Sequence, residues 1–245
     1  MNDPNGVFYD KRHGVYHAFY QDHLALPRDG HGHGSIWGHV ASRDLVRWVS
    51  LPVALWNDEA WDDTALFTGS TTIVDGVPVI IYPGMTQTYP GGDNLARATP
   101  ANLSDPLYVH WRKSPGPIAN HTHCDPSSAW QTGHGERRFQ TKDGQVYATS
   151  DSAFQTGFYP VPNYTISGSG ECSSLFMLPR LTPGSAAPDT NAALPTHVHK
   201  HSTYADPVYR IRVDEMRVGV LTEAPPGQPG TWTPLADFQE VDKYW

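Results

Sequence analysis

The chain has 245 residues, a formal net charge of −8 and only 17% charged residues. Its 22 Gly and 22 Pro exclude a helical bundle or coiled coil, and 38% hydrophobic residues exclude a disordered chain. No run of about 18 apolar residues is present to span a membrane, and an acidic balance without a Lys/Arg cluster argues against nucleic acid as a partner.

In chain order, the first predicted elements are Val7–Tyr9 and Val15–Tyr20, alternating runs joined by a turn from Asp10 to Gly14. Thr71–Val74 and Val77–Tyr82 flank Asp75-Gly76, and Phe139–Thr141 and Gln145–Ala148 flank Asp143-Gly144. Asp-Gly between apolar alternating runs is the strongest short-range hairpin signal. A fourth pair, Tyr209–Val213 with Val218–Leu221, is predicted to turn at Asp214-Glu215. The turns near 14, 76, 144 and 215 lie about 62, 68 and 71 residues apart, room for one four-stranded sheet per repeat. Repeated sheets of that length predict an all-β propeller, with a β-sandwich of irregular hairpins as the alternative. Leu181–Leu194 is Pro/Ala/Thr-rich and reads as a surface loop. No composition shift marks a linker, so residues 1–245 read as a single domain.

The chain is rich in aromatics, with 8 Trp, 12 Tyr and 8 Phe. Their flat faces suit sugar C–H surfaces, but large β cores use the same residues. Cys124 and Cys172 form neither a disulfide framework nor a CxxC metal site. Each neighbours an acidic residue expected to face the propeller channel. Strand alternation turns a neighbour the other way, so two free thiols are predicted. Sequons at Asn102, Asn120 and Asn163 hint at secretion. No leader precedes Met1, so the protein is either cytosolic or lacks its true beginning.

Three carboxylates, Asp3, Asp125 and Glu171, each introduce a strand-like segment in a different predicted blade. Strands that begin blades line a propeller's central channel, so the three are expected to converge there. Glycoside hydrolysis needs two carboxyl groups in different environments. Cys172, Leu175, Phe176 and Met177 give Glu171 an apolar neighbourhood that favours the protonated form by desolvation. Asn2 and Asn5 flank Asp3 with amides that suit an ionised carboxylate, although Asp-Pro and Asn-Gly are also ordinary turn residues.

Asn2-Asp3-Pro4-Asn5-Gly6, Trp37-Gly38-His39, Phe67-Thr68-Gly69-Ser70, Asp125-Pro126 and Glu171-Cys172 stand in the order and spacing of glycoside hydrolase family 32. The chain resembles these invertases, fructan hydrolases and related fructosyltransferases over almost its whole length. Tyr20-Gln21, and Lys200 within His197–Ser202, are similar to the same family. The resemblance implies a five-bladed β-propeller, usually followed by a β-sandwich. It implies release of fructose from β-fructofuranosides such as sucrose or fructans by a retaining mechanism, with no cofactor and no metal. Asp3 matches the nucleophile, Glu171 the general acid/base and Asp125 the transition-state stabiliser. Asn2, Gln21, Trp37, Phe67 and Thr68 match residues lining the fructose pocket, and Cys172 a neighbour that supports the acid. The implied partner is a small carbohydrate, and the implied location is extracellular or vacuolar. In a retaining site the carboxyl groups of Asp3 and Glu171 should face each other at roughly 5–5.5 Å.

The chain also departs from the family pattern. Cys124 stands where an Arg usually precedes the stabilising Asp, a Trp usually precedes Met1, and residues after Lys200 match poorly, although Asp206 is near. The sequence ends near where a fifth blade should begin, with no β-sandwich after it. About four blades are therefore expected, in a fragment incomplete at both ends that is poorly soluble and nearly inactive alone. A metal centre is one rival reading, built on His31/His33, His121/His123 and His197/His199. A non-catalytic carbohydrate-binding propeller is another, and fructosyl transfer is a third outcome of the same intermediate.

Overall fold

The computed structural model describes residues 3–23, 34–87, 89–90, 92–120, 124–166, 170–177, 197–206 and 211–244. Among these the regular elements are all strands, in four antiparallel sheets that follow one another as blades of a propeller. Blade 1 is a meander of β1 (Pro4–Asp10), β2 (Val15–Asp22), β3 (Ile36–Ser42) and β4 (Trp48–Leu55). In blade 2, β5 (Ala65–Leu66) and β6 (Ser70–Val74) share the edge of β7 (Val77–Met85). Its next strand β8 (Asn94–Pro100) carries β9 (Trp111–Lys113) and β10 (Ala119–Asn120) on the outer edge. Blade 3 holds β11 (Trp130–Gln131), β12 (Arg137–Gln140), β13 (Gln145–Thr149) and β14 (Tyr159–Thr165). Blade 4 holds β15 (Glu171–Met177), β16 (His197–Asp206) and β17 (Ile211–Thr222), with β18 (Thr231–Pro234) and β19 (Gln239–Tyr244) both on the edge of β17.

Three of the four expected hairpins are present, as β1/β2, β6/β7 and β12/β13. Asp75 and Gly76, at φ 50° and 79°, supply the pair of positive values that a twist-matched two-residue turn requires. The fourth hairpin is different. β17 runs unbroken through Asp214 and Glu215 and pairs with β16. Cross-strand partners outweigh the turn preference here. Asp214 accepts a 2.5 Å hydrogen bond from Ser202 and pairs with Lys200 at 2.9 Å, and Glu215 pairs with His201 at 3.3 Å. The loop expected at Leu181–Leu194 lies outside the described residues.

Each described hydrophobic cluster joins neighbouring blades. Phe8, Phe19, Trp37, Leu66, Tyr82 and Tyr108 pack blade 1 on blade 2. Val79, Ile81, Phe139, Tyr147 and Phe154 pack blade 2 on blade 3. Trp130, Val146, Val161, Tyr164, Leu175 and Leu221 pack blade 3 on blade 4. Much of the aromatic excess is thus spent on the seams between blades. Gly6 sits on the first seam at φ 48°, its amide bonded to the Gly69 carbonyl at 3.2 Å. A Cβ there would lie 2.6 Å from the Thr71 hydroxyl, so only glycine lets the two inner strands touch.

The same seam buries two imidazoles. His17 and His39 are fully buried and hydrogen-bonded to each other at 3.0 Å, with His17 stacked on Phe8 and His39 on Phe19. Burial pushes His17 down to about 4 and His39 to about 3, and for His39 the neighbouring His17 adds to the effect. Unfolded histidine titrates near 6.5, so below that pH the unfolded chain takes up protons that the fold refuses. Stability is therefore complete above about pH 6.5 and declines as the pH falls toward 4. By pH 5 the loss is on the order of 1–2 kcal/mol per imidazole. Denaturant titrations at pH 7.5 and 5 check this, and His17→Gln/His39→Gln should lessen the dependence, with buried His197, His199 and His201 carrying the remainder. An equal pH slope in that variant would remove these histidines as the cause.

Candidate active site

The segments leading into the blades' inner strands meet at one cavity. Asp3 immediately precedes β1, and Phe67-Thr68-Gly69 fills the gap between β5 and β6. Only glycine fits at position 69, where a Cβ would lie 2.2 Å from the Ile81 carbonyl. Asp125 sits in the segment leading into blade 3, and Glu171 opens β15. Asp3, Asp125 and Glu171 all line one cavity of about 380 Å³, with Gln21, Phe67 and Thr68 on its wall. It continues into a second space of about 700 Å³ through shared Asp3, Thr68, Asp125, Cys172 and Arg212, reaching Lys200 and Asp214. Both lie within the roughly 300–1,000 Å³ usual for small-ligand sites.

Asp3 is held from blade 2. The Thr68 hydroxyl donates to its carboxylate at 2.7 Å, and Gln21 donates to the Thr68 oxygen at 2.8 Å. Because Gln21 occupies that oxygen as a donor, the hydroxyl proton is directed at Asp3. The Cys172 thiol lies 3.6 Å from the same Asp3 oxygen. These contacts replace the amide support expected from Asn5. Asn2 lies outside the described residues.

Asp125 is 8% exposed, and its backbone lies in the left-handed region at φ 57°. Its carboxylate accepts the Cys172 N–H at 2.8 Å, and Cys172 itself has φ 51°. Left-handed backbone at non-glycine residues costs of order 1–3 kcal/mol each and concentrates at functional sites. Burial raises the Asp125 pKa, the Cys172 N–H and Lys142 oppose the rise, and the charges of Asp3 and Glu171 add to it.

The two cysteines are free thiols, as predicted, but not for the expected reason. Strand register shifts between Glu171 and Ser174, so alternation fails at Cys172. Glu171 and Cys172 therefore both line the cavity, as does Cys124. Burial, with the charges of Asp125 and Asp3, pushes the Cys172 thiol far up, and burial with Asp125 takes Cys124 to about 11. Both are protonated at neutral pH.

Glu171 does not have the apolar setting expected from its neighbours in sequence. Leu175 is buried in the blade 3–blade 4 seam, and Phe176 and Met177 are exposed. The carboxylate lies between two cations, with Lys142 at 3.1 Å on one oxygen and Arg212 at 2.6 Å on the other. Sequence reading missed both. Lys142 stood in a turn signal and Arg212 in a strand signal, and neither pattern reports what lies across the channel. Trp37 is 0% exposed and sits one layer behind the cavity, its indole N–H donating to the Phe67 carbonyl at 3.1 Å. It supports the wall on which Phe67 and Thr68 stand.

No group of three or more His, Cys, Asp or Glu is placed to hold a metal among the described residues. His197 and His199 share a buried face of β16, as alternation requires, but His199 lies against Ser173, Trp232 and Phe238. The pairs His31/His33 and His121/His123 lie outside the described residues.

The sequence profile of the glycosyl hydrolases family 32 N-terminal domain matches residues 1–205. The chain belongs to glycosyl hydrolase family 32. Among relatives of this family member, acid beta-fructofuranosidase 4, vacuolar, of Arabidopsis thaliana is 32% identical across 96% of the chain and 35% of its own length. Fructan 6-exohydrolase of Beta vulgaris is 36% identical over 72% of the chain and 32% of its own length. The crystal structure of fructan 1-exohydrolase IIa from Cichorium intybus superposes with a TM-score of 0.69 at 27% identity, covering 96% of this chain and 44% of that one. The chain thus spans about a third of the length of these curated relatives.

Proposed function

We propose that this family 32 chain forms the fructoside-cleaving propeller of a retaining β-fructofuranosidase, acting on sucrose or fructans. One observation carries the reading: three carboxylates from three blades line a single cavity. Asp3 attacks the anomeric carbon of the fructosyl unit, displacing the glycosidic oxygen, which Glu171 protonates. Glu171 then takes a proton from water, which releases fructose from Asp3. Asp125, neutralised in part by the Cys172 N–H, holds sugar hydroxyls as positive charge develops on the ring. Gln21, Phe67 and Thr68 form the fructosyl subsite, and Trp37 backs it. The relatives, β-fructofuranosidases and fructan exohydrolases, support the substrate class. Vacuolar and insoluble relatives, and sequon asparagines that are all exposed, support a secreted or vacuolar glycoprotein.

Incubation with sucrose and with inulin, following fructose and glucose, tests the reading. Sugar binding without fructose release would assign the cavity to recognition alone. Glu171→Gln separates the roles. It should cost sucrose cleavage about 10²–10⁴-fold while largely sparing fructosides whose leaving groups depart without protonation. Equal losses on both substrate types would remove Glu171 as the acid.

A further inference from the structure

We propose that Lys142 is a positioning residue for Glu171, holding the acid/base carboxylate across the cavity from the neighbouring blade. The proposal rests on the fructoside reading of this site. Lys142 belongs to the β12–β13 turn of blade 3, whereas Glu171 opens blade 4. The Lys142 ammonium lies 3.1 Å from one Glu171 oxygen, and its backbone N–H donates to the Cys124 carbonyl at 2.8 Å. Cys124 is the residue before Asp125, so Lys142 ties the segment carrying one cavity carboxylate to the side chain of another. Partial burial works against the lysine charge. The hydrogen bond and charge of Glu171 outweigh it, Asp125 and Cys124 add to them, and the Lys142 pKa rises above its ordinary value.

Arg212 takes the other Glu171 oxygen at 2.6 Å, so the carboxylate is fixed from two sides. A carboxylate gripped at both oxygens has one orientation, and a general acid needs its proton aimed at the leaving oxygen. The other titratable groups on this cavity are Asp3, Asp125, His23, Cys124 and Cys172. Losing Lys142 should therefore lower the maximal rate through misorientation while leaving substrate affinity largely unchanged. A merely structural lysine would not give that split between kcat and KM.

Two measurements on the full chain test this. Carbodiimide converts the Glu171 carboxyl to an O-acylisourea. The Lys142 amine displaces the urea, leaving an amide with net loss of one water. Peptide mapping is expected to find this Lys142–Glu171 isopeptide in the wild type. In Lys142→Met, Glu171 should couple to added glycine ethyl ester several-fold faster, and Lys142→Arg should keep it protected. On sucrose, Lys142→Met should lower kcat about tenfold with KM within about twofold, and be largely rescued by Lys142→Arg. Absence of the isopeptide, unchanged Glu171 coupling in Lys142→Met, or a wild-type kcat in that variant overturns the proposal. If the wild-type chain releases no fructose, the rate comparison falls away, and cross-linking and labelling alone decide whether Lys142 holds Glu171.

Discussion

Asp3→Asn is expected to lower fructose release from every substrate by about 10⁴-fold or more, because no other group in the cavity replaces a lost nucleophile. The substitution is nearly isosteric, so the effect should be chemical. Thr68 donates to Asp3 at 2.7 Å, and Gln21 holds Thr68 in that donor orientation. An asparagine can still offer its carbonyl oxygen to Thr68, with its NH₂ turned toward the cavity. The fold should therefore survive, and the melting temperature should stay within a few degrees of wild type. Initial rates on sucrose and on an activated fructoside, alongside a thermal melt, check both halves. An Asp3→Asn protein that retains a tenth of wild-type activity would end the assignment of Asp3 as nucleophile.

The second large effect is expected on stability, at the seam between blades 3 and 4. Arg138 is fully buried and bonds Glu136 through two nitrogens, at 2.7 and 2.6 Å. It also reaches Glu223 at 3.2 Å and the carbonyls of Pro225 and Gln228 at 3.3 and 3.0 Å. Trp130 donates to Glu223 at 2.6 Å, and Tyr159 donates to Glu136. Arg138→Met keeps much of the volume but strands Glu136, a carboxylate only 1% exposed, without its cation. Breaking a buried pair on one side costs about 3–5 kcal/mol, a large share of the roughly 5–15 kcal/mol available to a fold. Glu136→Gln/Arg138→Met removes the stranded charge and should recover part of the loss. Urea titration of the three proteins measures this, and a loss below about 1 kcal/mol for Arg138→Met would show that the network is not holding the blades together.

What was legible in the sequence was short in range. Asp75-Gly76 and Asp143-Gly144 announce their hairpins because the turn and both strands lie within a dozen residues. The family motifs announce Asp3, Asp125 and Glu171 because each carboxylate travels with its own flanking residues. The misread features depend on partners in other strands or blades. Asp214-Glu215 resembles a turn until Ser202, Lys200 and His201 are set opposite it. Glu171 resembles an acid in apolar surroundings until Lys142 and Arg212 arrive from elsewhere. Arg138 finds Glu223 85 residues downstream, a distance no local pattern reports. Trp37 reads as a sugar platform, but its depth follows from the approach of Gly69, where a Cβ would come 3.0 Å from its ring.

The blades and the cavity they surround are built from contacts of different reach. A blade closes largely on its own neighbours in the chain, one hairpin after another. The hydrogen bonds that shape the cavity join residues 29, 47, 65 and 169 positions apart. Closing such loops costs only about 0.6 kcal/mol for each doubling of length, so reach alone is inexpensive. The requirement is order of events: Asp3 can meet Cys172 only after all four sheets have docked. A ligand that touches Asp3 and Glu171 together therefore binds the docked arrangement alone. At 100 times its dissociation constant, mass action adds about 2.7 kcal/mol to that docking. A ligand spanning this cavity would act as a removable staple between the first blade and the fourth.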